Sequence, residues 1–133
     1  MGYKRRARVV FLGGVHPAPA NLATHYAHKF GAVWMEAQAA VLPGVAGEVA
    51  VLDNTMLDWA DLVVTLDSMA QVNLPRLPSG VQHRHYPFEP IPPAADKAAW
   101  GELAARVRQR VEGMIAGMRL LEKAALTTHA DDL

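Results

Sequence analysis

The chain has 133 residues, of which 51% are hydrophobic and 20% charged, and its thirteen basic and thirteen acidic side chains give a net charge of zero. This composition predicts one globular domain, and the balanced charge argues against nucleic acid as a partner, because binding to a phosphate backbone needs a basic excess. The absence of cysteine excludes disulfides, thiolate nucleophiles and thiolate metal sites.

The first predicted elements are a strand and a helix joined by a glycine-rich turn. The apolar sequence VVFL predicts a strand over residues 8–13 that is buried on both faces of a sheet. Apolar residues at helical spacing predict a helix from about Asn21 to Gly31, where glycine is a natural C-terminal stop. The turn between them, residues 13–20, reads GGVHPAPA. Such a turn forms an anion-binding site wherever its backbone N–H groups and those of the helix N-terminus converge.

The next segment predicts one more strand, a loop and a short helix. The sequence AVWM at residues 32–35 predicts the second strand. Glycines and prolines interrupt residues 42–54, which predicts a loop. Residues 55–60 predict a short helix with Asn54 or Thr55 as its cap.

The clearest strand in the chain is predicted over residues 61–66, DLVVTL. It ends at Asp67–Ser68, which can cap a short helix to about Leu74. A catalytic group could also stand at this strand end, but Asp is a favoured helix cap, and we expect Asp67 to be one. Residues 81–86 predict the fourth strand, and residues 87–93 predict a proline-rich loop.

Four strands separated by helices predict an α/β fold, a single three-layer domain with a four-stranded parallel sheet flanked by helices. The last helix is long, because apolar residues recur at steps of three and four over residues 100–121. We assign residues 1–133 to this one domain, with an ordered core over 7–124 and flexible tails over 1–6 and 125–133. Ligands bind such sheets at the carboxyl ends of strands. That rule selects three loops: residues 13–20, residues 67–68 and residues 87–93.

The N-terminal basic cluster, Lys4 to Arg6 with Arg8, predicts a solvated tail. No apolar run is long enough to span a bilayer, and no signal-peptide core follows the N-terminal charges. We therefore expect a cytoplasmic location and no membrane association.

Four segments share their order and spacing with one known family. They are VVFL with its following loop and helix, WADLVVTLD at residues 59–67, HYPFEP at residues 85–90, and the closing amphipathic helix. Together they resemble the low-molecular-weight protein tyrosine phosphatase and arsenate reductase family. The resemblance covers most of the chain and implies that family's α/β fold, with its phosphate-binding loop after the first strand.

The resemblance also implies where the family's catalytic groups would stand. Its active-site loop is a Cys, five residues, an Arg and then a Ser or Thr, and these positions fall on Gly13, Pro19 and Ala20. None of the three can supply a nucleophile, a guanidinium or a hydroxyl group. The nearest counterpart of the family's Asp-Pro general acid is Glu89 before Pro90. The chain therefore resembles a degenerate member that lacks the catalytic Cys and Arg, which predicts a catalytically inactive domain.

We expect this domain to act as a protein-binding or regulatory accessory subunit without a cofactor. Its partner would be a protein or a second copy of the chain, and a small anion is the weaker alternative ligand. The predicted ligand or interface site consists of the degenerate loop and its rim: Gly13, Gly14, Val15, His16, Pro17, Pro19, Asp67 and Glu89.

Two other functions remain open from the sequence. The chain could be an enzyme with altered chemistry at His16 or Glu89, where Glu89 is either a carboxylate with a raised pKa or an exposed loop charge. It could also be a sensor of small anions or nucleotides that uses the amides of Gly13 and Gly14.

Two histidine pairs each share one face of an element. His25 and His28 lie on the first helix, and His83 and His85 lie on the fourth predicted strand. A metal site needs three or four converging ligands, and no further ligand has an obvious spacing to either pair. We therefore predict no metal site.

Overall fold

A computed structural model describes residues 5–131 of the chain and the side chains of residues 5–121. Strands and helices alternate along this part of the chain. The elements are β1 (Ala7–Gly13), α1 (Ala18–Gly31), β2 (Met35–Val41), β3 (Ala50–Val51), α2 (Asn54–Trp59), β4 (Leu62–Thr65), α3 (Ser68–Val72), β5 (Gln82–His85) and α4 (Lys97–Asp131). No helix of the described residues has the length and apolar content to cross a membrane.

The strands form one parallel sheet in the order β3-β2-β1-β4-β5. The prediction of a parallel α/β sheet is confirmed, but five strands are present where four were predicted. The additional strand is β3, which lies inside the segment that we predicted to be a loop. It pairs only Ala50 and Val51 with the end of β2, and two residues are too few to produce a periodic pattern.

Helices cover both faces of the sheet, as the three-layer prediction requires. The apolar residues of β1 alternate between the faces because successive side chains of a strand point in opposite directions. Val9 and Phe11 belong to the core on the side of α1 and α4. Val10 and Leu12 belong to the core on the side of α2 and α3.

The second strand was predicted at the wrong position. Residues 32–34 form a turn, in which the amide of Trp34 donates to the carbonyl of Gly31 at 2.8 Å. β2 follows with the sequence MEAQAAV, in which alanine and polar residues replace the β-branched residues that mark most strands. Its position beside β1 in the sheet therefore determines its strand conformation more than its own sequence does.

Two helices begin at different residues from those predicted. α1 starts at Ala18 instead of Asn21, since Pro17 occupies its N-cap position and a proline in the first turn needs no N–H donor. The cap of α2 is Asp53, whose Oδ1 accepts a hydrogen bond from the amide of Met56 at 2.8 Å. Neither residue predicted as its cap has that role.

The described part of the basic cluster is bonded to the domain. Two nitrogens of Arg5 contact the carboxylate of Asp61 at 2.5 and 2.7 Å, and Arg6 pairs with Glu36. Arg8 lies 3.8 Å from Glu36. The hydrogen bond from Arg5 holds the pKa of Asp61 below its usual range. Arg5 and Arg6 remain exposed to solvent, but each also pairs with an acidic side chain of the domain.

The predicted flexible tails lie partly outside the described residues. This applies to residues 1–4 and residues 132–133. At the C-terminal end α4 continues to Asp131, whereas the sequence pattern predicted a tail from residue 125.

Candidate functional site

The loops after β1, β4 and β5 meet at the carboxyl edge of the sheet. The amides of Gly14 and Val15, after β1, donate to the carboxylate of Asp67, after β4. The next residue, Ser68, donates to the carboxylate of Glu89, which follows β5. The three loops that the strand-end rule selected are therefore linked by hydrogen bonds, and four of the predicted site residues lie within this network.

The carboxylate of Asp67 accepts hydrogen bonds from the loop after β1. Its Oδ2 accepts from the amides of Gly14 at 2.8 Å and Val15 at 3.0 Å, while its Oδ1 accepts from the amide of Ala70 at 2.8 Å. The side chain caps α3, as predicted, and Asp67 is only 4% exposed. A carboxylate of the chain itself thus takes the backbone donors that could hold an external anion.

The two glycines of the loop are required by close packing. A Cβ atom at Gly13 would lie 2.7 Å from the carbonyl oxygen of His16, and a Cβ atom at Gly14 would lie 2.3 Å from the amide nitrogen of Ala70. Both distances are shorter than a van der Waals contact. The carbonyl of His16 therefore lies where a side chain at Gly13 would begin, and its oxygen carries partial negative charge. This arrangement disfavours both a nucleophile at position 13 and an anion beside it.

The start of α1 is also closed by the chain's own groups. The Nδ1 atom of His16 accepts from the amide of Ala18 at 3.0 Å, and the His16 ring lies 5.8 Å from the ring of Trp100. Pro17 and Pro19 have no N–H group. Pro17 packs against Gly47, where an added Cβ would lie 2.7 Å from the proline ring, and Pro19 is buried. The first turn of α1 is therefore a poor source of donors for a ligand.

Glu89 is an exposed carboxylate that is anchored at the start of α3. Its Oε1 accepts from the hydroxyl of Ser68 at 2.6 Å and from the Ser68 amide at 2.9 Å. These hydrogen bonds lower the pKa of Glu89, so the alternative of a raised pKa is wrong. An ionised carboxylate at neutral pH has no proton to donate and is unsuited to general acid catalysis.

A cluster of Thr65, His83 and His85 lies beside this network and was not predicted. The buried hydroxyl of Thr65 is 2.8 Å from Nε2 of His83 and 2.7 Å from Nδ1 of His85. Burial, and then the nearby His85, lower the pKa of His83. The available sequence signal was the alternation of two histidines on one strand, but their convergence on Thr65 depends on the register of β4 with β5.

The other histidine pair does not converge. The ring of His25 packs on Tyr26 at 5.4 Å, whereas Nε2 of His28 lies 3.0 Å from the carbonyl oxygen of Ala37. Across the described residues, no group of three or more His, Cys, Asp or Glu side chains could hold a metal ion.

Solved structures with a similar fold include arsenate reductases and a tyrosine phosphatase. An arsenate reductase in the phosphate binding state has a TM-score of 0.63 and 20% identity, covering 84% of this chain and 98% of its own. An arsenate reductase from Archaeoglobus fulgidus has a TM-score of 0.59 and 19% identity, covering 80% and 98%. A low-molecular-weight protein tyrosine phosphatase from Streptococcus pyogenes has a TM-score of 0.57 and 13% identity, covering 92% and 99%.

These similarities confirm the fold that the sequence resemblance implied. No protein-family model matches the chain, and neither does any curated protein sequence. At identities of 13 to 20% the likeness shows a shared α/β fold, and the chemistry has to be argued from this chain's own residues.

Proposed function

We propose that this chain is a catalytically inactive phosphatase-like domain that binds a protein partner as a regulatory or accessory subunit in the cytoplasm. The observation that carries the proposal is the closed loop after β1. Its amides at Gly14 and Val15 are bonded to Asp67, and the carbonyl of His16 lies over Gly13. In the register that the sequence resemblance implies, the positions of the family's catalytic Cys and Arg fall on Gly13 and Pro19.

Phosphate binding at this loop would require the loop to open. A phosphate would have to displace the carboxylate of Asp67 from three backbone donors, and each charge-assisted hydrogen bond contributes roughly 1.5–3 kcal/mol. An anion beside Asp67 would also repel the carboxylate it displaces. These interactions argue against phosphate chemistry, and they argue equally against an anion sensor that uses the same amides.

The contacts of His16 and Glu89 argue against altered catalysis. His16 uses Nδ1 to accept from the chain's own backbone, and no arginine or lysine contacts it among the side chains described. Glu89 is held ionised by Ser68. A phosphoryl-transfer transition state needs preorganised positive charge, which neither residue supplies.

The rim of the closed loop is the partner surface that we propose. Val15 is 55% exposed and Pro17 lies in the same loop. The proline-rich loop over residues 87–93 joins the same network through the hydrogen bonds of Glu89 with Ser68. Prolines and hydrogen-bonded loops lose little conformational entropy on binding, which favours association.

An activity assay tests the catalytic part of the proposal. We expect the purified chain to hydrolyse aryl phosphates and to reduce arsenate no faster than buffer. Activity above buffer that a His16→Ala, Glu89→Gln double variant loses would contradict the proposal, since it would assign chemistry to the two remaining candidate groups.

Site-specific photo-crosslinking tests the binding part. A photo-reactive amino acid at Val15 should crosslink in cells to one reproducible protein or to a second copy of the chain. Val33 is the matched control, because it is also an exposed valine, 77% accessible, and lies in the turn before β2 at the opposite edge of the sheet. Equal labelling from both positions, or none from Val15, would refute the proposed surface.

A further inference from the structure

A second surface, away from the closed loop, has the features of a peptide-binding groove. A groove of about 790 Å³ runs between α4 and β5. β5 is the last strand of the sheet, and its side chains are largely exposed. Residues of α4 share one core with residues of β1 and β4, whereas Gln82, His83 and Arg84 of β5 are exposed.

One half of this groove is positively charged. Arg84, Arg106 and Arg110 line it, and among the described side chains no Asp or Glu does so. The guanidinium of Arg110 lies 4.3 Å from the ring centroid of Tyr86, and Nη1 of Arg84 lies 3.4 Å from the Tyr86 hydroxyl. Both cations are therefore held around one aromatic ring.

These three arginines have no carboxylate partner among the described side chains, unlike Arg108, which pairs with Glu112. Arg106 and Arg110 are also one helical turn apart, where like charges repel. In a chain of zero net charge, an uncompensated cluster of this kind favours an anionic ligand.

The other half of the groove is apolar and unusually open. Met114, Met118 and Leu121 line it. Gly113 and Gly117 line it on α4, and a Cβ atom added at either would meet no described atom within 4 Å apart from the neighbouring residues and the backbone of α4 itself. Glycine is unfavourable inside a helix, and no internal contact requires it at these positions. The two glycines leave room for a ligand backbone to approach the helix closely.

The dimensions and the strand edge fit an extended peptide. From Arg106 to Leu121 the helix rises about 22 Å, which is the length of about six or seven extended residues. The amide of Gln82 donates to the carbonyl of Asp61, just before β4, and the amide of Tyr86 donates to that of Thr65. By alternation, the main-chain groups of His83 and His85 face the open edge of the sheet. A peptide along this edge would find backbone partners as well as side-chain contacts.

We propose that this groove binds an extended segment of a partner protein that carries acidic residues at one end and apolar residues at the other. The acidic side chains contact Arg84, Arg106 and Arg110, and the apolar side chains pack over Met114 and Met118. Nucleic acid fits less well, because three arginines are a small basic patch and half of the groove is apolar. The site does not depend on the closed loop or on the absence of catalysis.

Fluorescence anisotropy with the full chain tests this site. The probes are labelled peptides of about seven residues, with Asp and Glu at one end and Val and Leu at the other, made in both sequence directions. The control peptides carry Lys in place of Asp and Glu. We expect one acidic peptide to bind at least about tenfold more tightly than its lysine counterpart. Its affinity should fall as salt is added.

Variants of α4 separate the groove from other surfaces. An Arg106→Gln, Arg110→Gln double variant should weaken acidic-peptide binding by about tenfold or more. A Gly113→Leu, Gly117→Leu double variant should fill the groove and abolish binding. Gly101→Leu is the matched control, since Gly101 also has open space around it on α4 but does not line the groove. All the leucine variants should fold, because leucine has a higher helix propensity than glycine.

Four results would overturn the proposal. They are equal affinity for acidic and lysine peptides, no detectable binding of any acidic peptide, and unchanged peptide affinity in the arginine double variant. The fourth is an equal loss of peptide affinity in Gly101→Leu and in the Gly113→Leu, Gly117→Leu double variant. A labelled single-stranded oligonucleotide serves as a further probe. If it bound more tightly than the acidic peptides with the same arginine dependence, the ligand class would be wrong.

Discussion

Replacement of Asp67 by alanine tests whether this carboxylate closes the loop after β1. The substitution removes one helix cap and two long-range hydrogen bonds at once, from the amides of Ala70, Gly14 and Val15. A lost cap reduces stability by about 1 kcal/mol. Each bond to a charged group is worth at least about 1.5 kcal/mol, so we expect a total loss of about 4 kcal/mol.

The α2 cap provides a matched control for this measurement. Asp53 also caps a short helix through one hydrogen bond, from the amide of Met56 at 2.8 Å, but the described structure shows it no bond to a distant loop. We therefore expect Asp53→Ala to lower the free energy of unfolding by only about 1 kcal/mol. The difference between the two variants, about 3 kcal/mol, is the contribution of the bonds to Gly14 and Val15.

Urea denaturation followed by circular dichroism measures both free energies of unfolding. The Asp67→Asn variant should lie between wild type and Asp67→Ala, because the amide keeps one acceptor oxygen and remains a good helix cap. Equal losses of about 1 kcal/mol for Asp67→Ala and Asp53→Ala would refute the closed loop. That result would also remove the main support for a catalytically inactive domain.

Three further predictions concern the same edge of the sheet. Phosphate, arsenate and formate should not raise the melting temperature of the wild type. Formate should raise the melting temperature of Asp67→Ala, because it can bind the amides of Gly14 and Val15 that the carboxylate no longer occupies. Stabilisation of both proteins would show that these amides are free in the wild type. Gly13→Cys should destabilise the chain by about 2 kcal/mol or more, because its Cβ would meet the carbonyl oxygen of His16. It should not create phosphatase activity. A stable variant with phosphatase activity would contradict both expectations. The folded chain holds the pKa of His83 below its unfolded value. As the pH falls, the unfolded chain therefore binds the proton before the folded chain does. Stability that is present above about pH 6.5 should be lost as the pH falls toward the folded pKa. His83→Gln should flatten that dependence in urea denaturation at a series of pH values, whereas His25→Gln, on the surface of α1, should not; identical slopes for the two variants would rule out His83 as the source.

The elements that the sequence predicted best are those whose conformation follows from burial. The strands over residues 8–13 and 61–66 were recognisable because a parallel strand covered on both faces needs an unbroken apolar run. The convergence of their loops then followed from topology, since parallel strands end at the same edge of the sheet. Met35–Val41 has no such run, and its strand conformation comes from pairing with β1, which no local pattern reveals.

The sequence predicted where the site lies but not the hydrogen bonds that close its loop. The residues at the strand ends could be named from the sequence, and Asp67 could be predicted as a helix cap from its residue type. Its bonds to Gly14 and Val15 span more than fifty residues, and the Thr65 cluster depends on strand register. Contacts between distant segments need the assembled sheet, so no periodicity or local motif could have predicted them.

The absence of side chains at Gly13 and Gly14 and the closed loop are physically the same feature. The carbonyl of His16 can lie over position 13 only because Gly13 has no side chain, and the loop can approach α3 only because Gly14 has none. The closed arrangement then brings the amides of Gly14 and Val15 to Asp67, which replaces an external anion with an internal one. A cysteine at position 13 would require the His16 carbonyl to move, and Asp67 would still hold the neighbouring amides. Gly13 and Gly14 therefore permit a conformation in which Asp67, and not an external anion, accepts the hydrogen bonds of the loop amides.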